Sequence, residues 1–261
     1  MKYAAAILFL VLFTFSCKEK KESTEVKPQT KEEVLISEHK LHPDSAIITE
    51  DLIQFYRDNG ETEKALKLVD QTISSDTANA RLYSIKGTLY FEDDDTLAAV
   101  KSFENAVRLS PDEDYLISLG TLYAQTKNER ALKIADIILQ NFPQSQKEAY
   151  FIKGFYYNFT GNKTEAIKYF DKCLEISFTF MQAYREKAIC LYDLKKYEQA
   201  LQTINKALTI QNNYDEGYYY KGLILEKLNR KNEAAEAYEF ALMYDPDYTE
   251  ARNALSKLNN Q

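Results

Sequence analysis

From residue 46 onward, small and apolar positions return on a fixed beat. Ala65, Ala99, Ala166, Ala200 and Ala234 are separated by 34, 67, 34 and 34 residues. A glycine or a substitute stands twelve residues before each, at Ile53, Gly87, Gly154, Ala188 and Gly222. The unit inside the 67-residue interval is irregular and supplies Gly120 and Ala131. A period of this length marks a stacked repeat, and it divides the chain into units 46–79, 80–113, 114–146, 147–180, 181–214 and 215–248. Within a unit apolar residues recur three and four apart, as in Ala99, Val100, Phe103, Ala106 and Val107, the spacing of an amphipathic helix. Each unit predicts two such helices, separated by polar turns such as Asn59-Gly60, Gly161-Asn162 and the runs 92–95 and 229–232. One helix pair cannot bury its own faces, so stacking must supply the core. Residues 249–258 place Ala251, Ala254, Leu255 and Leu258 on one face and Arg252, Asn253, Ser256 and Lys257 toward solvent, the pattern of a capping helix.

These units resemble tetratricopeptide repeats, whose pattern calls for an aromatic at position 4, a small residue at 8, tyrosine at 11, alanine at 20, an aromatic at 24, alanine at 27 and proline at 32. Unit 80–113 supplies Tyr83, Gly87, Tyr90, Ala99, Phe103, Ala106 and Pro111. Unit 215–248 supplies Tyr218, Gly222, Leu225, Ala234, Tyr238, Ala241 and Pro246. Unit 147–180 supplies Tyr150, Gly154, Tyr157, Ala166, Phe170 and Cys173, with Phe178 replacing the proline. The first unit is the most degenerate and keeps Tyr56 and Ala65. The resemblance covers 46–248 and implies an all-α, right-handed α-solenoid of about six helix-turn-helix repeats, closed by a C-terminal capping helix over 249–261.

The N-terminus reads as an address. Met1 and Lys2 precede an uncharged, mostly apolar run over 3–16 that stops at Cys17, the shape of a secretory signal. A helix crossing a hydrocarbon core needs about 20 residues, so a permanent anchor fits less well. Phe15-Ser16-Cys17, with charge directly after, resembles a bacterial lipoprotein precursor, although Thr14 and Phe15 depart from the commonest form. The resemblance implies removal of 1–16 and acylation of Cys17, with palmitate among the chains; an ordinary signal peptide cleaved nearby is the alternative. Residues 18–33 hold five Lys and five Glu and offer little to bury, so 17–45 is expected to form a flexible tether. The expected location is the cell envelope, lipid-anchored, on the periplasmic or surface side of the outer membrane.

Composition narrows the chemistry. The 261 residues are 45% apolar and 28% charged, enough for a real core. Seven Gly and five Pro are too few for the many turns of an all-β protein. A net charge of −7 argues against nucleic acid. His39 and His42, without a cysteine or carboxylate cluster, make a poor metal site, so no metal and no cofactor are expected. Cys173 and Cys190 read as small hydrophobes; a disulfide between them needs close approach of adjacent units. No phosphate-binding loop, nucleophile elbow or zinc-protease motif is present, and catalysis is not expected.

Recognition remains. The repeat resemblance implies that the first helices of successive units line a concave groove in which positions 2, 5, 9, 12 and 13 face a bound protein or peptide. Glu50 with Gln54, Ser84 with Thr88, and Phe151 with Phe155 hold positions 5 and 9 in three units, so the lysine and asparagine clamp that grips terminal carboxylates in some relatives is not carried over. Toward the C-terminal half the groove turns aromatic, with Phe151, Phe155, Phe159, Tyr192 and Tyr219 and with Arg185 among them. These rings either pack between helices or stand exposed as a hot spot for an apolar helix. The function expected is a non-catalytic interaction scaffold or assembly factor. A carbohydrate- or peptidoglycan-binding protein is the reading of a different class.

Overall fold

The computed structural model describes residues 29–260. Among the described residues the structure is helical throughout, with fourteen α-helices, one short 3-10 turn and no strand. The chain divides into two units, 1–52 and 53–261.

The described part of the first unit holds α1 (Lys31–Leu41) and the start of α2 (Ala46–Asp58). Helix α1 corrects the expectation of a flexible tether running to residue 45. Its N-terminus is a capping box: the Thr30 hydroxyl accepts from the Glu33 amide at 3.2 Å, and the Glu33 carboxylate accepts from the Thr30 amide at 2.9 Å. His39 Nδ1 lies 3.2 Å from the hydroxyl of Thr49, which is 2% exposed. The repeat phase extends through α1. Pro43 stands two periods before Pro111, in the position-32 place, and Leu35 one period before the buried Val69. Charge composition hid a helix that keeps the repeat phase. Cys17, the apolar run and the first part of the tether lie outside the described residues.

The second unit is a stack of helix pairs. After α3 (Thr62–Ser75) come α4 (Ala80–Glu92) with α5 (Thr96–Leu109), and α6 (Glu113–Gln125) with α7 (Arg130–Asn141). Then follow α8 (Gln146–Phe159) with α9 (Lys163–Ile176), α10 (Met181–Asp193) with α11 (Tyr197–Ile210), α12 (Asp215–Lys227) with α13 (Lys231–Tyr244), and α14 (Thr249–Asn259). Side chains of Asn79, Asp95, Asp112 and Asn162 accept from free amides at four helix starts. Every turn between paired helices contains one residue in the left-handed region: Gly60, Asp94, Lys127, Gly161, Lys195 and Asn229. Only two are glycine, so four turns hold this geometry against its intrinsic cost.

The beat of small residues is the packing rule. Ala65, Ala99, Ala166, Ala200 and Ala234 are fully buried. A Cβ added to Gly154 lies 2.7 Å from the Phe170 ring, so position 8 must be bare for the position-24 aromatic to lie across it. The irregular unit solves the contact differently, with Ile134 and Ile152 over Gly120. Its α7 is 12 residues long, and the 3-10 turn Pro143–Ser145 completes the connection.

Candidate functional site

Successive first helices touch one another along the stack, α6 with α8, α8 with α10 and α10 with α12, whereas successive second helices make no comparable contact. The first helices therefore line the inner side of this unit, and side chains at their free positions form the groove floor.

The phenylalanine row on α8 runs from packed to open. Phe151 stacks on Phe155 at 5.3 Å and also meets Phe180 at 5.3 Å and the fully buried Phe170 at 5.7 Å. Phe155 meets Phe159 edge-on at 4.8 Å. Phe159, 39% exposed, is the member that faces solvent. The base of the row belongs to the inter-helix core and its tip is open.

Arg185 is committed within the groove. Its Nη1 donates to both carboxylate oxygens of Glu216, at 2.7 and 2.6 Å, and its Nε donates to Glu186 at 3.2 Å. Asn158 donates to the other Glu186 oxygen at 3.1 Å, Lys163 donates to Asn158 at 2.6 Å, and the Tyr214 hydroxyl donates to Glu216 at 3.0 Å. A polar chain thus ties α8, α10 and α12 together. Burial works against the Arg185 charge, but Glu186 and Glu216 outweigh it and raise its pKa above the ordinary range. Burial raises the pKa of Glu186, only 6% exposed, against the opposing pull of Arg185 and Asn158. Burial, with Glu216 beside it, raises the Tyr214 hydroxyl as well.

Tyr192 and Tyr219 have different surroundings. Tyr219 packs at 5.1 Å from Tyr248, 5.3 Å from Tyr220 and 6.0 Å from Tyr238, inside the inter-helix packing of the C-terminal repeats. Tyr192 meets Tyr197 at 5.4 Å and lines a small notch of about 160 Å³ between α10 and α12. Ile189, Tyr220, Leu223 and Ile224 complete its apolar wall, and Asp193 stands at its edge. Ile189 and Leu223 both occupy position 9, the place of Phe155, but as aliphatic residues they carry no aromatic signal in the sequence. Glu186 and Glu216 were also missed, because their pairing with Arg185 joins different repeats.

Cys173 and Cys190 are both buried and free, and burial pushes each thiol up to about 12. Among the described residues no group of three or more His, Cys, Asp or Glu side chains is placed to hold a metal. No helix among them is long and apolar enough to cross a membrane.

The tetratricopeptide repeat model matches 80–113 and 215–248, and the model for subunit 3 of the anaphase-promoting complex, or cyclosome, matches 124–207. No curated protein matches the chain in sequence. Among solved structures, a tetratricopeptide repeat protein from Parabacteroides merdae superimposes with a TM-score of 0.74 at 22% identity, over 88% of this chain and 91% of that one. PilW, a type IV pilus biogenesis factor, gives 0.64 at 18% identity, over 80% and 97%. A thermophilic repeat protein from Thermus thermophilus gives 0.60 at 15% identity, over 70% and 100%. At these identities the likeness establishes the fold, an α-solenoid of helical repeats.

Proposed function

We propose that this chain, a tetratricopeptide repeat protein, is a non-catalytic scaffold that holds a protein or peptide partner in the groove of its first helices. The match of 80–113 and 215–248 to the tetratricopeptide repeat model supports the reading, since stacked helical repeats offer an extended concave surface for binding. The observation that carries it is the apolar notch between α10 and α12, together with the exposed ring of Phe159 at the end of α8. Affinity in such a groove comes from a few apolar side chains entering well-packed pockets. Arg185 is neutralised by Glu186 and Glu216 and leaves no free cation at that position for a terminal carboxylate. The partner engages through aliphatic or aromatic side chains.

The decisive experiment captures partners from envelope extract with wild type and with the double variant Phe159→Ala, Leu223→Ser. Capture falls at least about tenfold while the melting temperature moves by only a few degrees, as loss of one hot spot produces. Undiminished capture by the folded variant removes the groove from the function.

The scaffold works from a membrane, in this proposal, through acylated Cys17 and the charged residues after it, where it helps a larger envelope complex assemble. Two acyl chains suffice for lasting attachment where one is marginal. Labelling of cells with a palmitate analogue yields a tagged protein that Cys17→Ser loses. An untagged wild type, or a tagged Cys17→Ser, sinks the anchor.

A further inference from the structure

On the side where second helices lie, two neighbouring first helices, α8 and α10, carry the same frame of side chains with different contents. Over α8, between α7 and α9, Tyr169 fills the space. Its ring stacks on Tyr157 at 5.5 Å with an interplanar angle of 4° and on Tyr150 at 6.4 Å. Lys153 lies 5.7 Å and Lys172 5.2 Å from the Tyr169 centroid, with Lys172 also 5.4 Å from Tyr150. Lys153 is held by Asp136 at 2.5 Å.

One period later, over α10 and between α9 and α11, the frame is repeated. Tyr184 takes the place of Tyr150, Lys187 that of Lys153 and Lys206 that of Lys172. Lys187 is held by Asp171 at 2.6 Å, and Lys206 lies 5.8 Å from the Tyr184 ring. Thr203 stands where Tyr169 stood, and Leu191 where Tyr157 stood. The furrow opens into a cavity of about 720 Å³, within the roughly 300–1,000 Å³ of ordinary ligand clefts. Tyr184 lines it, is only 2% exposed, and its buried hydroxyl has no hydrogen-bond partner. The furrow over α6 differs: its Tyr123 hydroxyl donates to Glu104 at 2.5 Å. Over α12, Phe240 and Tyr244 stack on Tyr218 at 5.1 and 5.6 Å.

We propose that the furrow over α10 is a second docking site, separate from the groove of first helices, and that its occupant is a tyrosine side chain presented by a partner protein. The chain itself shows the fit, since the equivalent lysines, Lys153 and Lys172, and the equivalent tyrosine, Tyr150, surround Tyr169 one repeat earlier, with Leu191 in place of Tyr157 as the one change in the wall. Ammonium groups favour the face of an aromatic ring over an aliphatic side chain. The Lys187 and Lys206 ammonium groups at the furrow, with the Tyr184 ring in its lining, favour an aromatic occupant over an aliphatic one.

The test is methyl NMR on the full chain, titrated with N-acetyl-L-tyrosinamide and, separately, N-acetyl-L-leucinamide. The tyrosine probe gives saturable shifts at the Leu191 and Thr203 methyls, and the leucine probe binds at least about tenfold more weakly. Thr203→Tyr, which supplies the ring internally, abolishes those shifts and raises the melting temperature. Absence of saturable shifts, equal response to both probes, or undiminished binding by folded Thr203→Tyr overturns the proposal. Should Thr203→Tyr not fold, Lys206→Ala decides on an exposed position: several-fold weaker tyrosine binding supports the site, and unchanged binding overturns it. The Phe159→Ala, Leu223→Ser variant retains the tyrosine response, so failure of this site and failure of the groove are read separately.

Discussion

The pair α8 and α9 and the pair α10 and α11 occupy adjacent places in one stack, yet they spend corresponding positions differently. Both keep the buried alanine, Ala166 and Ala200, and both keep the rung from lysine to the preceding second helix, Lys153 to Asp136 and Lys187 to Asp171. Where the first places Phe151 and Ile152, the second places Arg185 and Glu186. Where the first closes its outer furrow with Tyr169, the second has Thr203. Small residues and turns fix the frame, and positions around them vary between core, ionic network and open surface without altering it. A repeat protein can therefore exchange packing for recognition one position at a time.

The hardest break is Arg185→Ala. It strands Glu186, whose side chain is 8% exposed, inside the α8–α10 contact, and breaking a buried pair costs about 3 kcal/mol or more. The pH dependence has a definite sign. Burial raises the Glu186 pKa, so the fold favours its neutral form and loses stability as rising pH ionises it. The penalty of the variant is therefore largest near neutrality and shrinks as pH falls through the raised Glu186 value; urea unfolding at pH 7 and 5 measures it. The equivalent change in the other pair, Phe151→Ala, lacks this pH dependence.

Tyr169→Thr converts the closed furrow into the open one. Losing a half-buried ring and its stacking costs about 2 kcal/mol. The variant gains a second set of N-acetyl-L-tyrosinamide shifts near Tyr150, and a variant that loses stability without gaining them separates packing from recognition.

The smallest effect concerns the rungs. Lys86–Asp70, Lys153–Asp136 and Lys187–Asp171 recur along the stack, but Asn205 stands where the next acid belongs and Lys221 where the lysine does. Asn205→Asp should add about 0.2–1 kcal/mol, screened by salt. Thermal melts at low and high ionic strength check it, and an equal gain at both contradicts an ionic rung.

Much of this frame is legible in the residues. The alanine beat and the glycine twelve residues before it follow from a close approach that only a small side chain permits, so their spacing reveals the helix pairs. Helix α1 was also written there, in Leu35 and Pro43, but surrounding lysines and glutamates argued for solvation more loudly than two in-phase residues argued for a repeat. The candidate aromatics could be named from the residues, but their surroundings could not. Phe159 is exposed and Tyr192 lines the notch, while Phe151 and Tyr219 are largely absorbed by packing, and nothing in an aromatic stripe distinguishes the two.

The period and the small residues at its beats were enough to determine an α-solenoid of helical repeats, because backbone approach within a hairpin is a local constraint that every repeat states again. Which rings remain free, that Arg185 is spent on Glu186 and Glu216, and that the Tyr184 hydroxyl lacks a hydrogen-bond partner were decided only by tertiary structure. Those outcomes depend on which side chains from neighbouring repeats reach the same space, and a side chain's neighbours across repeats are set by the stacking of helices and not by its own position in the chain.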